Sequence, residues 1–293
     1  MARQSENWAP IWAGLAGLVL LVCGAPAWGW WAEGHALLTR AAVQALPAEM
    51  PDFFRQGGEA MALISPEPDA EKNRALPHLQ NAEHPEHYLD LELLKGQPLP
   101  EKRYDFVKSC AEAGLDPAQV GLVPYAVAEW TEKLALAFAQ HRRWPENTLV
   151  QAECLIAAGH LAHYTEDLCQ PLHTTVHYAG RAGADGKSPR SGIHEKMDAL
   201  PERLALDPQE LAKGLVPVAA DSLMPAILAQ LRASNALVDS VYALEGELGN
   251  LESPRVRALI TERSRAAVSF TAALYLRAWE ISAAIELPDW LKR

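Results

Sequence analysis

His163-Tyr164-Thr165-Glu166-Asp167-Leu168-Cys169-Gln170-Pro171-Leu172-His173 ends a helical pattern that begins near Asn147, and His194-Glu195-Lys196-Met197-Asp198 follows twenty-one residues later. Residues four apart on an α-helix lie one turn above each other, with Cβ atoms about 5–6 Å apart. His163 with Asp167, and His194 with Asp198, can therefore each grip one cation. Pro171 cannot donate to the carbonyl of Asp167 and crowds it, so the helix should stop or kink there and turn His173 toward the second pair. Imidazole and carboxylate are nitrogen and oxygen donors that zinc accepts. The spacing leaves an ambiguity, because His160 also lies on the Asp167 face and His177 is a further spare.

Working outward, nearly every periodic segment is helical. Ser253-Pro254 supplies a cap and a first-turn proline, after which Val256, Ile260, Ala267, Phe270, Leu274 and Ile281 recur every three or four residues. Similar patterns run over 126–141, ending before Trp144-Pro145, and over 218–248. Strand signals are nearly absent, and there is no internal repeat. The expected fold is all-α: one domain, a helical bundle or array with a metal site between helices. Two irregular stretches should line that site, a proline-rich one from Ser65 to Tyr88 and one rich in glycine and charge over 179–192.

The chain has 293 residues, is 49% hydrophobic and carries a net charge of −11. That charge argues against a broad electrostatic grip on polyanions, which normally rests on Lys and Arg neutralising phosphates. A phosphate substrate would have to be held by metal. No charged residue occurs from Asn7 to Ala32, and Ile11 to Cys23 is an apolar block followed by Gly24-Ala25-Pro26-Ala27-Trp28-Gly29. This reads as a signal peptide over 1–29, leaving a domain over 30–293 that is secreted or periplasmic. A retained N-terminal anchor is the alternative, although a spanning helix needs about 20 apolar residues. Past residue 29 remain Cys110, Cys154 and Cys169, which imply no disulfide framework.

In order along the chain, Trp30-Trp31-Ala32-Glu33-Gly34-His35, Pro68-Asp69-Ala70-Glu71-Lys72, His87-Tyr88-Leu89-Asp90, His163, Asp167, Gln170-Pro171-Leu172-His173, His194 and Asp198 resemble the zinc-dependent single-strand nuclease and 3′-nucleotidase family, itself related to bacterial zinc-dependent phospholipase C. The resemblance spans nearly the whole mature chain. It favours His163 over His160 and implies three zinc ions. Asp69, His87, His163 and Asp167 would hold the first, and His173, His194 and Asp198 the second. The third would take the amino group and carbonyl of Trp30 together with His35, sharing Asp167. A nitrogen inside a peptide bond has no lone pair for a metal, so Trp30 can chelate only if cleavage falls after Gly29.

Metal binding lowers the pKa of water to about 7, so hydroxide would be available as nucleophile at mild pH. Asp69 would orient it, and Lys72 would face the charged phosphorane. The resemblance gives Tyr88 and Asp90 to base recognition, by stacking and by hydrogen bonding. The implied substrate is single-stranded nucleic acid or a 3′-nucleotide, cut to leave 5′-phosphates, and no obligate protein partner is implied. The short Trp30-to-His35 interval and the terminal Asp198 favour that branch. Phospholipid is the alternative substrate, and a non-catalytic zinc-binding envelope protein is the alternative of another class. The stretch before His194 lacks the Gly-Gly-Asn usual in the family, and Met197 stands where an aromatic is common. These departures bear on the substrate pocket more than on the metal ligands.

Overall fold

In a computed structural model of the chain, which describes residues 30–183 and 188–292, the described residues form helices and turns with no strand, only one isolated bridge between Leu89 and Gly121. The expected signal peptide lies outside the described residues. No described helix is long and apolar enough to cross a membrane. The all-α expectation agrees with the structure.

Three long helices, Val123–Arg143, Thr148–Cys169 and Pro254–Ser282, pack against one another and carry most of the main core. Their ends are set by local chemistry. The side-chain oxygen of Asn147 accepts from the amides of Leu149 and Val150 at 3.0 and 3.4 Å, and Ser253 Oγ caps the last helix through Val256 N at 3.4 Å. At the other end of the middle helix, Gln170 N donates to Asp167 O and Pro171 opens a short 3₁₀ turn, Pro171–Thr174. The proline thus ends the helix and redirects His173, as the spacing requires.

The Ala32–Gln44 helix lies against this frame and against Gly58–Ile64. Gly159 lets Gly58–Ile64 reach the middle helix, since a Cβ at Gly159 would fall 2.7 Å from Ile64 Cβ. That close approach sets Ser65, and Asp69 beyond it, over the His163 turn. A second, smaller apolar cluster of Leu172, Ile193, Met197, Leu200, Val256 and Ile260 seats the short Ile193–Asp198 helix.

Two segments differ from expectation. The Ser65–Tyr88 stretch is mostly helical, with short helices Glu67–Glu71 and Pro77–Glu83 and a 3₁₀ turn His84–His87. Pro66 precedes the first of these helices, and Pro68, Pro77 and Pro85 fall in first turns, where the missing N–H costs nothing. The single helix expected over 218–248 is instead Leu223–Asn235 and Val238–Tyr242. At the break, Leu237 N bonds Ser234 O, and the Asn235 amide donates sideways to Thr174 O at 2.9 Å.

Candidate metal centre

The C-terminal turns of the Thr148–Cys169 helix supply the middle of the site. His163 is fully buried and donates through Nδ1 to Ser65 O at 2.8 Å, which leaves its Nε2 facing inward. That Nε2 lies 2.9 Å from His87 Nδ1, 3.4 Å from Asp167 Oδ2 and 3.8 Å from Asp69 Oδ1. His87 Nδ1 is also 3.0 Å from Asp167 Oδ2, while its Nε2 sits 3.3 Å from Glu83 Oε1, a carboxylate that also accepts from the Tyr164 hydroxyl. Lys72 Nζ, almost wholly buried, pairs with Asp69 Oδ1 at 2.6 Å. Asp69, His87 and His163 therefore meet around one point, with Asp167 against His87 and His163 on its edge.

A second group forms where the 3₁₀ turn meets the Ile193–Asp198 helix. His173 Nδ1 donates to His87 O at 2.7 Å, and its Nε2 faces His194 Nε2 at 2.9 Å. His194 Nε2 is 3.2 Å from Asp198 Oδ2, and Asp198 Oδ1 accepts from Gln170 Nε2 at 2.7 Å. A third group brings His35, His163 and Asp167 together, with His35 Nε2 3.6 Å from Asp167 Oδ1. Trp30 is buried beside it. Its indole donates to Glu166 O at 3.1 Å, and Trp31 N donates to Asp198 O at 3.2 Å, so the start of the described chain is tied to both carboxylate-bearing segments.

A purely structural role for these groups leaves several atoms unexplained. His35 Nε2, Asp69 Oδ2, Asp167 Oδ1 and Asp198 Oδ2 are buried with no hydrogen-bond partner among the described residues. Each such atom costs about 1–3 kcal/mol. A cation at each group would satisfy them with ordinary ligand types, since each group offers three donors within 4.8 Å of one another.

Electrostatics point the same way. Burial, with His163 next, holds His35 well below the usual imidazole range; burial, with His173 next, does the same to His194, and burial lowers His173. These imidazoles are neutral, the form that binds metal. Asp69 and Asp167 are kept low despite burial, Asp69 chiefly by Lys72 and then His163, Asp167 by His173 and His163. Burial drives Asp198 well above the carboxylate range, opposed by the Gln170 amide, so its ionised form calls for a cation.

The histidine ambiguity resolves in space. His160 stacks on Trp130 at 4.4 Å between centroids and bonds Ile156 O, while the His177 ring accepts from Ala182 N. Neither belongs to the three groups. Tyr88 is half-buried, donates its hydroxyl to Ala118 O at 2.7 Å, and lies edge-on to His84. Leu89 N donates to His173 O and Asp90 N to Val120 O, which ties the backbone of this segment to the turn that carries His173. Gly121, at φ +97°, allows this, because a Cβ there would fall 2.1 Å from Tyr88 O. Burial, with Glu92 next, raises Asp90 to about 7.

Several supporting residues escaped the sequence reading. Glu83 stands four before His87 and Thr39 four after His35, spacings that place each pair on one helical face. Glu166 sits beside Asp167 without a periodic signal. Tyr178, whose ring is 6.0 Å from His194, carried no local signal either. Cys110, Cys154 and Cys169 are buried and unpaired.

No family model matches the chain, and no curated protein matches it. Among solved structures, it is similar to the alpha toxin from Clostridium absonum, at TM-score 0.47 and 14% identity over 87% of this chain and 67% of the toxin. It is also similar to the Clostridium perfringens alpha-toxin isolated from avian strain SWCP, at TM-score 0.46 and 13% identity over 88% and 67%.

Proposed function

We propose that the chain is a zinc-dependent hydrolase of phosphate esters, taking three zinc ions and acting outside the reducing cytoplasm. The observation that carries this reading is the set of three buried His/Asp groups, two of them joined through His163, with inward atoms that find no hydrogen-bond partner among the described residues. Asp69, His87, His163 and Asp167 would hold one ion, His173, His194 and Asp198 a second, and His35 with Asp167 and the freed end of Trp30 a third. Bound zinc would supply Lewis acidity and hydroxide at mild pH.

The chain's own groups do the rest. Asp69 gives Oδ1 to Lys72 and keeps Oδ2 to orient an attacking water. Lys72 brings a buried positive charge to the edge of the first group, suited to charge growing on phosphorus-bound oxygens. Tyr88 offers a partly exposed ring on the segment bonded to the His173 turn, and Asp90 a polar edge.

Two substrate classes fit this chemistry. The Trp30-to-His35 interval and Asp198 favour single-stranded nucleic acid and 3′-nucleotides. Phospholipid is favoured by exposed apolar side chains on segments next to site residues, Trp31 beside Trp30 and Leu76 and Leu79 between Lys72 and Glu83, and by the −11 net charge. The test offers the mature protein denatured DNA, a 3′-nucleotide, phosphatidylcholine vesicles and a generic phosphodiester, each with and without chelator. Chelator-sensitive hydrolysis is expected, and the preferred substrate decides the class. Bound zinc with no turnover of any of the four would overturn the enzyme reading in favour of a zinc-binding protein.

A further inference from the structure

The inward-facing histidines are held from behind in different ways. His163 and His173 rest on main-chain carbonyls, Ser65 O and His87 O. His35 rests instead on a side chain: its Nδ1 lies 2.7 Å from Glu166 Oε2, and Glu166 Oε1 accepts from Thr39 Oγ1 at 3.0 Å. His35, Thr39 and Glu166 are all fully buried. A carboxylate buried this deeply is costly unless its partners compensate. The partners of its two oxygens are His35 and Thr39, so its place in the middle helix is explained by what it does to His35.

The two acids divide one imidazole between them. Successive helical residues point about 100° apart, so Asp167 faces the common centre while Glu166 faces the Ala32–Gln44 helix. With Glu166 ionised, His35 Nδ1–H donates to Oε2, which leaves the lone pair on Nε2, and Nε2 looks toward Asp167 Oδ1 at 3.6 Å. Thr39, one turn beyond His35, fixes the carboxylate from the other side. The main-chain carbonyl of Glu166 meanwhile takes the Trp30 indole. One residue thus holds both Trp30 and His35 at the site.

We propose that Glu166 is a positioning residue that sets the tautomer and orientation of His35 and, through it, the affinity of the cation shared by His35 and Asp167. This rests on the three-zinc reading above. The test is a zinc competition titration against a chromophoric chelator, with zinc content by elemental analysis, on wild type, Glu166→Gln, His35→Ala and the double variant. Glu166→Gln should weaken one zinc by about 10- to 100-fold, leave the other two at wild-type affinity, and add nothing in the His35→Ala background. Thr39→Val should weaken the same zinc less, and Thr39→Ser should restore it; this pair carries the test if Glu166→Gln does not fold. Wild-type affinity for every ion in Glu166→Gln, loss of all three together, or an undiminished effect without His35 would overturn the inference. Wild-type protein that takes up no zinc overturns the metal reading itself, and this inference with it.

Discussion

The Pro254–Ser282 helix and the last turns of the Thr148–Cys169 helix are both buried, but by different means. The first turns an apolar stripe inward, with Val256, Ile260, Val268, Leu274 and Ala278 shielded from water. The second is shielded on all sides from Ala157 to Cys169, and that stretch includes His163, Thr165, Glu166 and Asp167. An apolar stripe is held by the loss of water contact alone. A buried polar turn holds only if every donor and acceptor finds a partner. Around His163 some do not find one among the described residues, which is why this end of the helix reads as a binding site and the other helix as scaffold.

Asp167→Asn keeps the shape of the polar turn and removes its charge. If that turn exists to hold cations, hydrolysis should fall by more than about a thousandfold, some 4 kcal/mol of barrier, and elemental analysis should show lost zinc; unchanged zinc content would break the contrast. Asp90 supplies the next largest effect, because it is a buried carboxylate whose charged neighbour is Glu92 rather than a cation. Its carboxyl is raised from 3.8 to about 7. The folded state therefore binds the extra proton between those values, and wild-type stability falls as pH rises through that window. Asp90→Asn lacks the penalty. In denaturant melts, its advantage over wild type should grow from near zero at about pH 4 to on the order of 4 kcal/mol at about pH 8. A pH-independent difference would show that Asp90 ionises without cost.

The scaffold helix should answer differently. Leu274→Ala, at a fully buried position, should cost about 3 kcal/mol of stability with zinc content unchanged. Ser253→Ala, which removes the cap of the same helix, should cost about 1 kcal/mol and likewise leave the metals alone. Zinc loss in either variant would mean that the two regions are not separable.

The scaffold was the more legible of the two in the sequence. Ser253-Pro254 and the spacing from Val256 to Ile281 announce their helix, because the local cap and the apolar period agree with the tertiary burial. The His163/Asp167 and His194/Asp198 pairs were legible for a similar reason, since donors one turn apart need no knowledge of the rest of the fold. Where tertiary contacts decide, the local sequence carries no signal. Asn235 ends its helix by reaching Thr174, a contact invisible locally. The prolines of Ser65–Tyr88 suggested irregular chain but fall in or just before first turns. Glu166 looked like any helix glutamate, because its meaning lies in His35 and Thr39, more than a hundred residues away.

X-ray diffraction from crystals of the mature protein on both sides of the zinc absorption edge tests the central claim most directly. The account predicts anomalous peaks between Asp69, His87, His163 and Asp167, between His173, His194 and Asp198, and between His35 and Asp167 near the amino group of Trp30. Density for a closed, metal-free pocket in protein prepared with zinc would contradict it.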